Sequence, residues 1–358
     1  MIIFIEIGDQ MKTKLFKINQ DNSETIISEG AKIIVSGGLV VFPTETVYGI
    51  GANALNKDAS KKIYQVKGRP SDNPLIVHIA DKDDLPKYVM NIDQIAKKLI
   101  DAFWPGSLTL IFNKKEIIPY EITGGLETVA IRMPDNDIAR GLIRESQMPI
   151  CAPSANISGK PSSTLYEHVL ADLFGKVEMI IDGGKSLVGI ESTVLDLTTQ
   201  IPTILRPGAI TKTMIENILS MSILDATHQN AENKAPKAPG MKYKHYSPNG
   251  KITIVDGNHL NVVKFINQEV EKLEAISETV AVICVSDYAP HIKCKHISII
   301  GNLDDPKEIA SNLFSSLRNM DQLGIKNIYI HSFSTDDIGT AVMDRLLKAA
   351  DNNIIKIK

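Results

Sequence analysis

The chain has 358 residues, 43% of them apolar, which is enough material for two ordinary domains with separate cores. A formal net charge of -3, with 39 Lys and Arg against 42 Asp and Glu, excludes a surface that is basic as a whole, so any anion site must be local.

At the start of the chain, "MIIFIEIGDQMK" carries an apolar patch interrupted by Glu6, with no basic flank, and does not read as a targeting signal. Met11 is a second candidate start. Nothing later approaches the roughly 20 apolar residues that span a bilayer, so a cytoplasmic protein with no membrane partner is expected. Cys151, Cys284 and Cys294 are widely spaced in or beside apolar runs, which fits buried thiols in a reducing compartment.

From about Gly38 to Ile210 short apolar runs alternate with amphipathic segments. The runs "GLVVF", "PLIVHIA", "SLTLIF", "TVAIRM", "PICAP", "MIID", "STVLDL" and "TILR" read as strands. Helical patterns lie at "DASKKIYQVK", with a cap expected at Asp58, at "IDQIAKKLIDAF" and at "TLYEHVLADLF". Not every strand is followed by a helix, so the expected fold is α/β with a twisted, mixed sheet. The helix "KTMIENIL" and a polar stretch follow. Over 251–358 strict β-α alternation predicts a smaller, parallel-sheet domain of Rossmann-like type. It has no GxGxxG after its first strand, and no Walker A sequence occurs anywhere. The expected boundaries are 23–211 for the first domain, 212–249 for a linker or lid, and 250–358 for the second.

The candidate chemistry lies at strand and helix ends. In "YQVKGRPSDNPLIVH", Lys67 and Arg69 flank a glycine, and an extended chain there would aim both cations at one spot, suiting a polyphosphate. The competing reading is a Lys67 that complements a helix dipole and a solvated Arg69. Asn73 follows, then His78, which on pattern alone is equally a satisfied core histidine. In "TVAIRMP" the alternation sorts Val129, Ile131 and Met133 to one face and Thr128, Ala130 and Arg132 to the other. A buried Arg132 needs an anionic partner, either a structural Asp or Glu or the carboxylate of a ligand. "PTETVYGIG" puts Thr44 and Thr46 at a strand end followed by glycine-rich chain. "CAPSANISGKPSS", "GIESTVLDL" and "ILRPGAI" add Ala152, Ser154, Asn156, Ser158, Ser162, Ser192 and Arg206 at further ends. Converging ends of this kind make a ligand crevice in an α/β sheet. No catalytic triad and no metal-ligand spacing emerges, so the inventory of cations, hydroxyls and amides suits nucleotidyl transfer by positioning and electrostatics.

Taken together, "PTETVYG", "KGRPSDNPL", "RMP", "APSANISGKPS", "ESTVLDL", "LRPGAI" and "PGMKYKHYSP" resemble the threonylcarbamoyl-AMP synthase family, the YrdC-like proteins, in its long two-domain form. Glu45 stands where that family often has aspartate. The resemblance implies a YrdC-like catalytic domain with a concave crevice. It also implies condensation of L-threonine, bicarbonate and ATP to threonylcarbamoyl-AMP and pyrophosphate, used by downstream transfer proteins to modify tRNA beside the anticodon. It implies that Thr46, His78, Arg132, the Ala152 backbone and Ser192 hold threonine. Arg69, Asn73, Thr128, Ser154, Asn156, Ser162, Arg206 and Tyr246 would contact ATP, with Lys67 and Arg69 as the catalytic cations at the phosphates. Mg2+ is expected mainly through the ATP phosphates, with no tightly bound organic cofactor.

Two other readings remain at this level. One is an RNA-binding module of the same fold without ATP turnover, or a weak RNA contact beside catalysis; net acidity and few aromatic clusters speak against it as the main task. The other is carbamoyl transfer in metalloenzyme maturation, which calls for accessory zinc-finger and acylphosphatase-like segments that this sequence lacks. The stretch "KAPKAPGMKYKHYSP" (234–248), rich in lysine and aromatics and free of carboxylates, is expected to be a lid over the crevice rather than a plain tether.

Overall fold

The computed structural model describes residues 11–227, 237–238 and 245–358. These divide into two compact units. The first comprises the described residues up to Ser158, Ser162–Leu187 and the described part of Glu191–Lys242; the second comprises Gly159–Pro161, Val188–Ile190 and the described part of Tyr243–Lys358.

In the first unit the described strands are β1 (Lys14–Lys17), β2 (Val40–Phe42), β3 (Gly49–Asn53), β4 (Ile76–His78), β5 (Leu108–Asn113), β6 (Thr128–Arg132), β7 (Ile150–Cys151), β8 (Met179–Asp182), β9 (Thr193–Asp196), β10 (Thr203–Arg206) and β11 (Leu224–Asp225). They form one sheet in the order β1-β8-β2-β3-β7-β4-β6-β5-β9-β10-β11. The sheet is mixed, as expected: β4 runs parallel to β6, and β5 is antiparallel to β6 but parallel to β9.

The helices of this unit are α1 (Ser23–Val35), α2 (Lys57–Lys67), α3 (Gln94–Phe103), α4 (Tyr120–Thr123), α5 (Asp137–Ser146), α6 (Tyr166–Leu173) and α7 (Lys212–Leu219). Ile63 of α2, Leu99 of α3, Leu173 of α6 and Ile215 of α7 bury their apolar stripes in the main core with Val77, Leu110, Ile131 and Leu195 from the sheet. On the other side α1 and α5 pack together, and Ile34 and Leu142 cover Phe42, Ile150 and Ile181. Beyond α5 that face continues as Ile76, Ile111, Ala130 and Val194, against which Ala238 is buried. The first unit thus includes α7 and β11 from the segment read as linker, since Leu219 joins the core and β11 pairs with β10.

Two local readings are corrected. The cap of α2 is Asn56, not Asp58: its Oδ1 accepts from the Asp58 and Ala59 amides at 3.0 and 3.2 Å. The glycine-rich chain after "PTETVY" is a buried strand, β3, rather than open loop. A Cβ on Gly51 would lie 2.5 Å from Phe42 and 2.8 Å from Ile150, so glycine here permits close packing within the sheet.

The second unit is a parallel sheet of β12 (Lys251–Asp256), β13 (Val280–Cys284), β14 (His296–Ile299), β15 (Asn327–His331) and β16 (Ile354–Lys356), ordered β14-β13-β15-β12-β16. Its helices are α8 (His259–Ala275), α9 (Pro306–Gln322) and α10 (Ile338–Ala349). The strands β12, β13 and β15 are buried runs of β-branched residues, the pattern of a parallel sheet covered on both faces.

Gly51→Ala is expected to destabilise the first unit by about 1–3 kcal/mol through overpacking. Urea denaturation followed by a first-unit probe such as Trp104 fluorescence checks this; an unchanged midpoint would show that Phe42 and Ile150 can give way.

Candidate active site

Strands β4 and β6 run parallel and end side by side on His78 and Arg132, which are register partners, and Arg132 faces Thr109 of β5 on its other flank. Alternation carries Val129 and Ile131 into the main core, so Ala130 and Arg132 fall on the opposite face. Arg132 is 4% exposed. Its Nε donates to Gly106 O at 3.1 Å and its Nη1 to Thr46 Oγ1 at 2.9 Å. Nη2 lies 2.6 Å from Glu45 Oε1, in ion-pair contact but off the direction of a hydrogen bond. Glu45 is therefore the structural carboxylate that the alternation argument left as one of two partners. Its Oε1 also accepts from Ser107 Oγ at 3.2 Å, while the buried Oε2 has no hydrogen-bond partner. Burial raises the Glu45 carboxyl, but the Arg132 charge at contact distance and hydrogen bonds from the backbone outweigh this and hold it below the ordinary glutamate value.

Thr46 reaches Arg132 because Thr44 folds the strand-end turn. Thr44 Oγ1 donates to Val47 O at 2.6 Å, accepts from the Thr46 amide at 3.2 Å, and sits 2.9 Å from Thr46 Oγ1. His78 is 3% exposed and its Nδ1 has no hydrogen-bond partner. Burial, reinforced by the Arg132 charge, pushes its imidazole down to about 3, so the ring is neutral at pH 7.

A second group lies at the adjoining strand ends. Thr109 Oγ1 is 2.7 Å from Ser192 Oγ, and Arg206 holds Ser192 through Nε to its carbonyl at 3.0 Å and Nη2 to its hydroxyl at 3.2 Å. Ser162 Oγ donates to Glu191 Oε1. Thr128 opens β6, half-buried, opposite Asn113.

The cations after α2 are arranged differently from the sequence-based picture. Gly68 takes a left-handed conformation (φ 62°) that ends the helix, so Lys67 still belongs to α2 while Arg69 lies past the turn. The rule that extended residues two apart share a face does not apply there. Lys67 is 2% exposed, and its Nζ donates to the carbonyls of Ser154 and Asn156. Arg69 instead donates to Asn73 O at 3.2 Å and Pro74 O at 3.0 Å. Asn73 is buried with its Oδ1 lacking a hydrogen-bond partner. Ala152 is anchored by its amide to Ile76 O at 2.9 Å, Ser154 bridges to Gly49, and Asn156 Nδ2 donates to Ile157 O at 2.8 Å.

Tyr246 is placed in the second unit. It is 4% exposed, stacked on Phe314 at 5.1 Å between ring centroids, with the Arg345 guanidinium 5.7 Å from its ring. Of the stretch expected to form a lid, Lys237 and Ala238 are held on the first unit: Lys237 Nζ lies 2.9 Å from Asp196 Oδ2, and Ala238 is fully buried. Residues 234–236 and 239–244 of that stretch lie outside the described residues.

Sequence reasoning singled out no role for Glu45, Ser107, Thr109 or Glu191. Glu45 carried a usable signal, because it is the acidic residue between the two threonines of "PTETVYG" and a buried arginine was already seeking one. Thr109 sat unremarked in the apolar run "SLTLIF". Among the described residues no group of three or more His, Cys, Asp and Glu is placed to hold a metal ion, and no helix is long and apolar enough to cross a membrane.

Fold and site together define an α/β protein whose mixed sheet brings a buried guanidinium and several hydroxyls to adjoining strand ends. Residues 32–208 match the profile of the Sua5, YciO and YrdC proteins, described as "Telomere recombination", and residues 210–351 match "Threonylcarbamoyl-AMP synthase, C-terminal domain". Over 96% of this chain and 100% of its own length, the threonylcarbamoyl-AMP synthase of Pyrococcus abyssi is 44% identical; that of Bacillus subtilis is 41% identical over 99% and 98%. The crystal structure of P. abyssi Sua5 complexed with L-threonine aligns with a TM-score of 0.91 and 43% identity, covering 96% of this chain and 99% of that one. The chain belongs to the threonylcarbamoyl-AMP synthase family, in its two-domain form.

A buried histidine held neutral makes folding oppose protonation. Unfolded His78 titrates near 6.5 and the folded ring near 3, so its contribution is full above about pH 6.5 and is lost as pH falls through that window. The loss should be on the order of 1 kcal/mol per pH unit, checked by urea denaturation between pH 7 and 4. His78→Phe should flatten the slope; a slope unchanged by that substitution would place the acid sensitivity elsewhere.

Proposed function

We propose that the chain is an L-threonylcarbamoyladenylate synthase, converting L-threonine, bicarbonate and ATP to threonylcarbamoyl-AMP, pyrophosphate and water, for modification of tRNA next to the anticodon. The observation that carries the reading is Arg132: a buried guanidinium, fixed by Thr46 and Gly106, with the hydrogen-bonding directions of Nη2 unsatisfied at the end of a crevice strand. A ligand carboxylate meets that need. The P. abyssi relative named for this activity has been crystallised with L-threonine, which supports the assignment.

On this reading Arg132 takes the threonine carboxylate, with Thr46, His78, the Ala152 backbone and Ser192 around it. The neutral His78 can offer a polar nitrogen beside Arg132 without adding a second positive charge. Arg69, Asn73, Thr128, Ser154, Asn156, Ser162 and Arg206 would position ATP. Lys67 fastens the Ser154–Asn156 loop; its contact with phosphates, like that of Tyr246 with the nucleotide, rests on the family resemblance alone. Mg2+ carried on the triphosphate would neutralise charge there.

The threonine amine attacks CO2 derived from bicarbonate, and the carbamate oxygen then attacks the α-phosphorus in line as pyrophosphate leaves. Neither titratable group beside Arg132 suits the role of base. His78 titrates near 3 and Glu45 lies below the ordinary glutamate value, far from the pKa of an ammonium group. Solvent or the carbamate itself is left as proton acceptor. Downstream proteins would then take the adenylate to tRNA.

Incubation with ATP, bicarbonate and L-threonine, omitting each in turn, should give pyrophosphate and a threonine-dependent adenylate by mass spectrometry; pyrophosphate release indifferent to threonine would sink the reading. Arg132→Ala should raise the KM for threonine far more than that for ATP, a loss of about 2–4 kcal/mol for a buried charge-assisted contact. Equal losses for both substrates would count against its carboxylate role.

A further inference from the structure

The second unit carries a cluster that the reaction above does not use. Strands β12 and β15 are neighbours in its sheet. From β12 the chain crosses through α8 to β13, whereas from β15 it crosses through α10 to β16, on the opposite side of the sheet. Neighbouring parallel strands whose connections leave in opposite directions open a crevice at their carboxyl ends. Here those ends are Asp256 and His331.

Rings are stacked at this edge. The Tyr288 ring lies 4.0 Å from that of His259, the first residue of α8, and 4.2 Å from that of His331. At such distances two rings cannot share one face of a phenol, so the imidazoles lie on opposite faces. His291 approaches His259 edge-on at 5.8 Å, and Phe333 lies 4.4 Å from His331.

The polar edges of this stack are unfinished. His331 is 1% exposed, and its Nδ1 lies 2.8 Å from Ser332 O. A carbonyl only accepts, so the proton is on Nδ1 and Nε2 keeps its lone pair. Burial pushes the imidazole down to about 4, so the ring stays neutral near pH 7. Nε2 of His331 nevertheless has no hydrogen-bond partner, and neither has Nε2 of His259. The His331 lone pair is thus a buried acceptor without a donor, which is costly and calls for one.

We propose that this crevice is a second ligand site, built to bind a nucleoside whose base amino group and sugar hydroxyls donate to the imidazole edges. An anion would bring no donor, and the surroundings are already acidic: Asp256 accepts from Ser332 Oγ at 2.7 Å, and Asp287 acts on His331. A metal ion does not fit, since no described group of side chains is placed to hold one. A flat heterocycle suits an edge made of stacked rings, and a nucleoside carries donors at both ends.

The test uses the full chain with 15N-labelled histidine rings, titrated with adenosine in the absence of ATP and followed by long-range 1H–15N spectra. In the free protein His331 should appear as the Nδ1–H tautomer. Adenosine, and cytidine likewise, should move its Nε2 resonance upfield and saturably, while inosine and uridine, which lack the amino group, should need at least about tenfold more. His78 reports first-unit binding separately. His331→Phe keeps a ring on Tyr288 and should abolish the response of His259 while leaving that of His78 unchanged; should it fail to fold, His259→Phe read at His331 serves as the same arm. No saturable shift at His331, equal potency of inosine, or a response that survives the ring substitution would overturn the proposal.

Discussion

A guanidinium taken out of water at the end of β6 is the constraint around which the first unit is arranged. Such a charge is tolerated only with an anion nearby and its N–H groups occupied. Glu45 supplies the first, and Thr46 and Gly106 supply part of the second. Those partners arrive from two separate places in the sequence, the Glu45–Thr46 turn between β2 and β3 and Gly106 just before β5, which the order of the sheet brings to the end of β6. The pair is left incomplete: Glu45 fixes the fork and balances its charge, yet hydrogen-bonding capacity remains on both groups. A site of this kind holds its key residue rigid before the ligand comes, which reduces the ordering that binding must impose.

The other cations of the site follow the same logic at lower cost. Lys67, Arg69 and Arg206 each donate to backbone carbonyls of neighbouring strand-end segments. Their first task is to give irregular chain the hydrogen bonds that a sheet would otherwise provide. Loop positions next to a ligand are thereby set by side chains anchored on a helix end and a strand, elements that are themselves packed in the core.

Much of this was legible in the sequence. The alternation in "TVAIRMP" put Arg132 opposite Val129 and Ile131, and the β-α rhythm after residue 250 announced a parallel sheet. What escaped was of two kinds. Glycine-rich "GIGAN" reads as loop because a missing side chain contributes nothing to a hydrophobic pattern, although Gly51 is a strand residue for that very reason. Partnerships such as Thr109 with Ser192 and Lys67 with the Asn156 carbonyl join residues more than eighty positions apart. No local periodicity encodes those; they are products of strand order.

That strand order also has a history within each molecule. β8 lies between β1 and β2, pairing Lys14 and Val40 with Met179 on its two sides. On a ribosome adding 5–20 residues per second, β1 waits roughly 10–30 s for the strand that will hold it. Through that interval two sheet edges lack their partner, and such edges recruit other chains. β1, "KLFK", carries a lysine at each end, a charge pattern that discourages foreign pairing while the later strand is made.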